Sequence, residues 1–144
     1  MAEGPTSPAR FVLDASAIIA YFNDEDGADK VEQLIEQAQS GEAELYAASI
    51  NLYEVFYDTL RRGSSEKAEE VLADLYALPM TVIETLDRAL MRHAGRFKTT
   101  YRLSVADSFA LGLAKMLGAQ VVSTDHHEFD PVEKSGDVRF VWLR

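Results

Sequence analysis

The sequence predicts an α/β domain whose central parallel sheet is flanked by helices on both faces. Three observations carry this. Short apolar runs rich in Val, Leu and Ile alternate with longer segments at helical spacing. The joints between them hold Gly, Ser, Asp or Pro, the residues that start and stop helices. The run from Val105 to Leu117 is apolar on nearly every side, with only Asp107 and Lys115 charged, as a deeply buried helix is.

Taken in order, residues 1–10 read as a flexible tail and 11–144 as one domain. Phe11 to Leu13 is a short buried strand ending at Asp14, and the largely apolar Ala15 to Phe22 is a helix. Asn23 to Gly27 is an acidic, solvated turn. It is not an EF-hand loop, because Phe22 would hold the first ligand position and Gln33 the last. Ala28 to Ser40 places Val31, Leu34, Ile35 and Ala38 on one helical face, and Gly41 ends it. Glu44 to Ala48 is a strand. Ser49 is the expected N-cap of a helix from Ile50 to Arg62. Gly63 closes that helix, and Ser64 or Ser65 caps the next, which Pro79 stops. Met80 to Ile83 is a third strand, and Asp87 to Thr99 a helix with Leu90, Ala94 and Phe97 on one side. Ser104 and Asp107 stand at capping-box spacing ahead of the buried helix, which Gly118 ends. Gln120 to Ser123 is a strand that hands over to Asp125. A loop around Asp130 and Pro131 leads to the last strand, Val138 to Leu143.

At 144 residues and 47% hydrophobic content, the chain buries a full core without staples. The absence of cysteine removes disulfides, thiolate metal sites and thiol nucleophiles, and it fits a reducing cytoplasm. The tail lacks the apolar centre of a signal peptide, and no run approaches the roughly 18 apolar residues of a membrane span. The expectation is a cytoplasmic protein with no membrane partner. Lys and Arg number 14 against 24 Asp and Glu, a formal charge of −10. That excludes a nonspecific electrostatic grip on nucleic acid, so a polyanionic ligand needs a local basic strip or bound cations.

Four acids have apolar or small neighbours: Asp14, Glu54, Asp107 and Asp125. Each falls at a strand's C-terminal end or early in the helix that follows, the positions that line one crevice of an open parallel sheet. Gathered there they repel one another, so either some hold protons or a hard cation neutralises them. With oxygen ligands only, Mg2+ or Mn2+ suits better than zinc. Such a metal orients water and stabilises charge on a phosphoryl oxygen, a chemistry that needs no side-chain nucleophile. Each residue also has a plainer role. Asp107 is placed to complete a capping box with Ser104, Asp14 and Asp125 to form turns after strands, and Glu54 to surface between core positions. His126 and His127 lack a second His at helical spacing, and Trp142 reads as a residue covering the sheet.

The segments Val-Leu-Asp14-Ala-Ser16, Asn51-Leu-Tyr-Glu54-Val, Val-Ala-Asp107-Ser-Phe-Ala-Leu-Gly and Val-Val-Ser123-Thr-Asp125, leading to Phe129, resemble the PIN domain ribonucleases. The likeness is closest to the VapC-type toxins of toxin–antitoxin pairs, and it spans the chain from Phe11. The resemblance implies a PIN-like fold and a Mg2+- or Mn2+-dependent endoribonuclease. Asp14, Glu54, Asp107 and Asp125 would be its catalytic, metal-binding acids, with Ser16 and Ser123 supporting them. It further implies an RNA substrate, an antitoxin partner and a homodimer. A nuclease of RNA processing or decay, or a PIN-like interaction module without turnover, stands as the alternative.

A basic strip is visible without the family. Arg88, Arg92 and Arg96 recur every four positions on one helix, and Arg61 ends another; they are the candidate RNA-phosphate contacts, against a plainer reading as a solvated face. A phosphotransfer enzyme fits less well. Ser16 stands where a haloacid-type phosphatase places its second acid, and Asp58 falls inside a helix where a receiver domain needs a strand end.

Overall fold

The computed structural model describes residues 7–144. Within them five strands, β1 (Ala9–Leu13), β2 (Ala43–Ala48), β3 (Met80–Ile83), β4 (Gln120–Ser123) and β5 (Phe140–Trp142), form one parallel sheet in the order β3-β2-β1-β4-β5. The α/β architecture expected from the sequence is the one observed. The chain steps outward from β1 through β2 to β3, then returns to the other side of β1 for β4 and β5. The order therefore reverses between β1 and β4, and in such sheets the crevice opens beyond the strand ends at that reversal.

The seven helices among the described residues are α1 (Ala15–Phe22), α2 (Ala28–Gln39), α3 (Ser49–Arg62), α4 (Ser65–Ala77), α5 (Arg88–Thr100), α6 (Val105–Leu117) and α7 (His126–Ser135). They cover both faces of the sheet. On β1, Phe11 and Leu13 join a core with residues of α1 to α4, while Val12 between them joins a second core with residues of α5, α6 and α7. On β4 the same alternation sends Val122 to the first core and Val121 to the second. Strands buried on both faces carry apolar residues at consecutive positions, which is why these short runs show no polar alternation.

Several boundaries differ from the sequence expectation, each for a physical reason. Residues 1–6 of the expected tail lie outside the described residues, and Ala9 and Arg10 belong to β1, where they pair with Ala43 and Glu44. Ser49 is the first residue of α3 and not its cap. Strand β2 runs directly into the helix, so the cap position falls on Ala48, which has no side-chain bond to give. The turn Asn23 to Gly27 is not simply solvated. Glu25 pairs with Arg144 at 3.1 Å, and the Asp26 carbonyl accepts a bond from the same guanidinium at 3.1 Å. Gly27, at φ 97°, lies so close to Leu143 that an added Cβ would stand 2.5 Å from that side chain.

Around Asp130 and Pro131 the expected loop is helix α7. Asp125 caps it, Phe129 and Val132 are buried one turn apart, and Gly136 ends it in the left-handed region. Pro131 lacks the N–H that would reach the His127 carbonyl, but it sits on the exposed side, and buried Phe129 and Val132 hold the turn around it. The last strand is regular only over Phe140–Trp142. Its ladder continues through Val121 N–H to the Arg139 carbonyl and Leu143 N–H to the Ser123 carbonyl.

Helices α5 and α6 approach closely because Gly112 faces Ala94. A Cβ at Gly112 would lie 2.7 Å from the Ala94 nitrogen and 2.9 Å from its Cα, backbone atoms that cannot swing aside. Gly112→Ala should therefore lower stability by about 1–2 kcal/mol, overpacking outweighing the ~1 kcal/mol gain in helix propensity. Gly95→Ala, on the same helix pair but with nothing within 4 Å, should be neutral or stabilising in the same urea titration.

Candidate acidic active site

Asp14 follows β1 and is only 2% exposed. Its Oδ1 accepts bonds from the Ala17 N–H at 2.9 Å and the Ser16 hydroxyl at 2.7 Å, and its Oδ2 accepts one from the Ser123 hydroxyl at 2.5 Å. The first bond makes Asp14 the N-cap of α1. The third crosses to β4, and it is possible because Leu13 pairs with Val122, which sets Asp14 level with Ser123. Each serine has a single proton, and both protons are committed to Asp14. Their oxygens in turn accept the N–H of Thr124 at 3.0 Å (Ser16) and of Asp125 at 2.9 Å (Ser123). The hydroxyls thus relay backbone donors at the β4–α7 junction onto one carboxylate.

Three further acids face this point. Asp107 is the third residue of α6, and its N–H donates to the Ser104 hydroxyl at 3.1 Å. Among the described residues the reciprocal bond of a full capping box, from Ser104 N–H to the Asp107 carboxylate, is not made. Asp125 is the N-cap of α7, its Oδ1 accepting the Glu128 N–H at 3.2 Å. Glu54 lies in the second turn of α3, half-buried, and accepts from the Asn51 amide at 3.3 Å.

Three of the four acids, Asp14, Glu54 and Asp107, are raised above the ordinary carboxylate range. Burial pushes the Asp107 carboxyl up to about 7, with the charge of Asp14 next in weight, the Ser104 hydroxyl pulling back, and Asp125 and Glu54 adding to the rise. Burial likewise raises Asp14 to about 6, against the pull of its three hydrogen bonds, and Asp125 adds to it. Glu54 is raised by burial, eased by Asn51 and raised again by Asp125. Among the described residues no lysine or arginine forms an ion pair with any of the four. The charge is left to an outside cation or to protons.

The PIN domain family model matches residues 11–134, most of the chain. The chain belongs to the PIN domain family. Its fold is similar to that of DNA-bound VapBC from Salmonella typhimurium (TM-score 0.72, 19% identity, covering 94% of this chain and 99% of that one). It is also similar to VapBC-1 from nontypeable Haemophilus influenzae (0.70, 17%, 93% and 98%). A third likeness is to VapC20 from Mycobacterium tuberculosis, a sarcin–ricin loop cleaving toxin (0.64, 17%, 85% and 94%). At these identities the likeness is one of fold. No curated protein matches the sequence.

Within the PIN domain, the donor set is oxygen only, and no basic side chain among the described residues pairs with it, which fits a hard divalent cation. Among the described residues, no three Asp, Glu or His side chains are posed to hold one ion jointly; the acids approach without closing on a common point. His126 is used elsewhere. Its ring nitrogens contact Asp130 at 2.8 Å and the Arg144 carbonyl at 2.9 Å, and its ring stacks on Trp142. Arg61 pairs with Asp58 at 2.8 Å, and Arg96 with Asp137 at 3.3 Å while lying over Phe97. Arg88 and Arg92 are exposed and have no carboxylate partner among the described residues. Asn51, to which sequence reasoning gave no role, is the side chain in contact with Glu54; its signal was its place three residues ahead of that acid on a helix.

Asp14 and Asp107 bind protons more tightly in the folded chain than in the unfolded one. The stability they contribute is present below about pH 4 and is lost as the pH rises through about 6 to 7. In chelator, the melting temperature should fall as the pH is raised from about 5 to about 8. Asp107→Asn should raise stability at the alkaline end by about 1–2 kcal/mol and flatten the slope. An unchanged slope in thermal melts of the variant overturns this account of the site.

Proposed function

We propose that this PIN domain is a Mg2+- or Mn2+-dependent endoribonuclease that hydrolyses internal RNA phosphodiester bonds, and that it is the toxin of a toxin–antitoxin pair acting in the cytoplasm. One observation carries the reading: burial first, and then the charges of Asp14, Asp125 and Glu54, raise Asp107 toward neutrality, and no lysine or arginine among the described residues pairs with any of the four acids. Four acids drawn from four separate helix starts share one unneutralised field. Such an arrangement lowers stability unless a ligand answers it.

The chain's own residues divide the work. Asp14 is the fixed member, held by three donors in one orientation, and Ser16 and Ser123 keep it there. Asp107, Asp125 and Glu54 are the adjustable members, each with at most one hydrogen bond on the carboxylate among the described residues and each partly open to solvent. These four carboxylates would hold the metal, which when bound supplies an activated water and neutralises charge on the phosphoryl oxygens. Arg88 opens α5 at the crevice end of the sheet and Arg92 lies one turn along, so the two can hold flanking phosphates. Arg61 and Arg96 contribute less, because each already has a carboxylate. RNA as substrate draws support from the loop-cleaving activity in the name of the VapC20 neighbour, and an antitoxin partner from the VapBC assemblies. A homodimer is the expected form of the toxin.

Purified protein with labelled RNA should give metal-dependent internal cuts leaving a 5′-phosphate, abolished by chelator. Asp14→Asn and Asp107→Asn should each lose at least ~100-fold in rate. Equal activity in wild type and both variants would identify a contaminating nuclease. Replacing Arg88 and Arg92 with Ala should flatten the slope of log binding constant against log salt by about 1.4, two phosphate contacts on a single strand. Expression should arrest growth of a host, and co-expression of the gene product neighbouring this one should relieve it; harmless expression of active enzyme would make it a processing nuclease.

A further inference from the structure

Asn51 is wholly buried in α3, with 0% exposure. Its amide nitrogen donates to the Glu54 carboxylate at 3.3 Å and to the Ala106 carbonyl at 3.3 Å. Ala106 immediately precedes Asp107. The side-chain amide oxygen of Asn51 is buried and has no partner among the described residues. The orientation follows from the partners: turned over, the amide would set its oxygen against a carboxylate and a carbonyl, two acceptors. Both N–H groups are therefore spent, one on each of two elements that carry acids, while the oxygen meets no protein donor among the described residues.

A buried oxygen without a donor bears its full desolvation penalty, and an apolar side chain of the same size would avoid it. Folding does not account for the amide. Its two bonds do account for it, since they tie the Glu54 side chain to the main chain beside Asp107. Glu54 has three side-chain torsions, stands half-buried, and among the described residues accepts a side-chain bond from Asn51 alone. Without that bond its carboxylate is free to swing out to water, which burial and the negative charge of Asp125 favour.

We infer that Asn51 is a positioning residue that sets the distance between the Glu54 carboxylate and the first turn of α6, and so prepares two of the four acids for one divalent ion. The inference rests on the metal-dependent reading above.

The test uses the full chain. Asn51→Leu should unfold in urea, in chelator, at the same or a higher denaturant concentration than wild type. Its Mn2+ dissociation constant, from the spin-resonance signal of free Mn2+, should rise about 10–100-fold. Glu54→Gln should weaken Mn2+ binding at least as much, and the double variant should bind no more weakly than Glu54→Gln alone, because Asn51 acts only through Glu54. Unaltered Mn2+ affinity in Asn51→Leu, or a further loss in the double variant, overturns the inference. If Asn51→Leu fails to fold, the decision passes to the Asn51 side-chain NH2 resonances, which should move in Glu54→Gln; resonances that stay in place overturn it. Wild type that binds no Mn2+ removes the metal reading, and the resonance shift still decides whether Asn51 holds Glu54.

Discussion

A carboxylate set where water does not reach, and so in need of donors from the chain, is the constraint on which this architecture turns. Asp14 meets it with three donors, two from the start of its own helix and the third from β4. The serine of β4 is level with it because the strand order reverses beside β1, so the sheet topology itself supplies the donor. The two hydroxyls then draw on the main chain beyond β4. One ionisable group in this way knits together the two strand ends between which the crevice opens.

The same acids have local duties that compete with their shared one. Asp14 and Asp125 cap helices, and Asp107 lies one turn past a serine cap whose hydroxyl eases its charge. A cap bond favours the ionised carboxyl, whereas burial and three like charges favour the protonated one. For Asp107 the second influence wins by a wide margin. The domain thus holds its least comfortable charges where the strands end: Asp14, Glu54 and Asp107 are each raised in part by acids that are distant in the chain.

The alternation of strand and helix, the parallel sheet and the burial of the α6 helix were legible in the sequence, because each follows from spacing and punctuation within a dozen residues. Helix α7 was not, since Pro131 masked it and its stability comes from Phe129 and Val132 packing into a core that local patterning does not reveal. The cap at Ser49 was misplaced because nothing in the residues says that β2 and α3 meet without a joint. At the site, the four acids stood out by their apolar company, and Ser16 and Ser123 by likeness to the PIN family. The direction of the hydrogen bonds was invisible, as was the role of Asn51, which depends on the Ala106 carbonyl far along the chain. Arg96 fits the basic strip by periodicity, yet its partner Asp137 lies in a loop after α7 that periodicity cannot bring near.

The close seat of Gly112 against Ala94 reaches further than packing density. With main chains this close at one point, a tilt of α5 about Ala94 presses on α6, so the backbone that carries Arg88 and Arg92 and the backbone that carries Asp107 share a fixed point of contact. A single missing methyl group thereby couples the placement of a cationic helix to that of an anionic one.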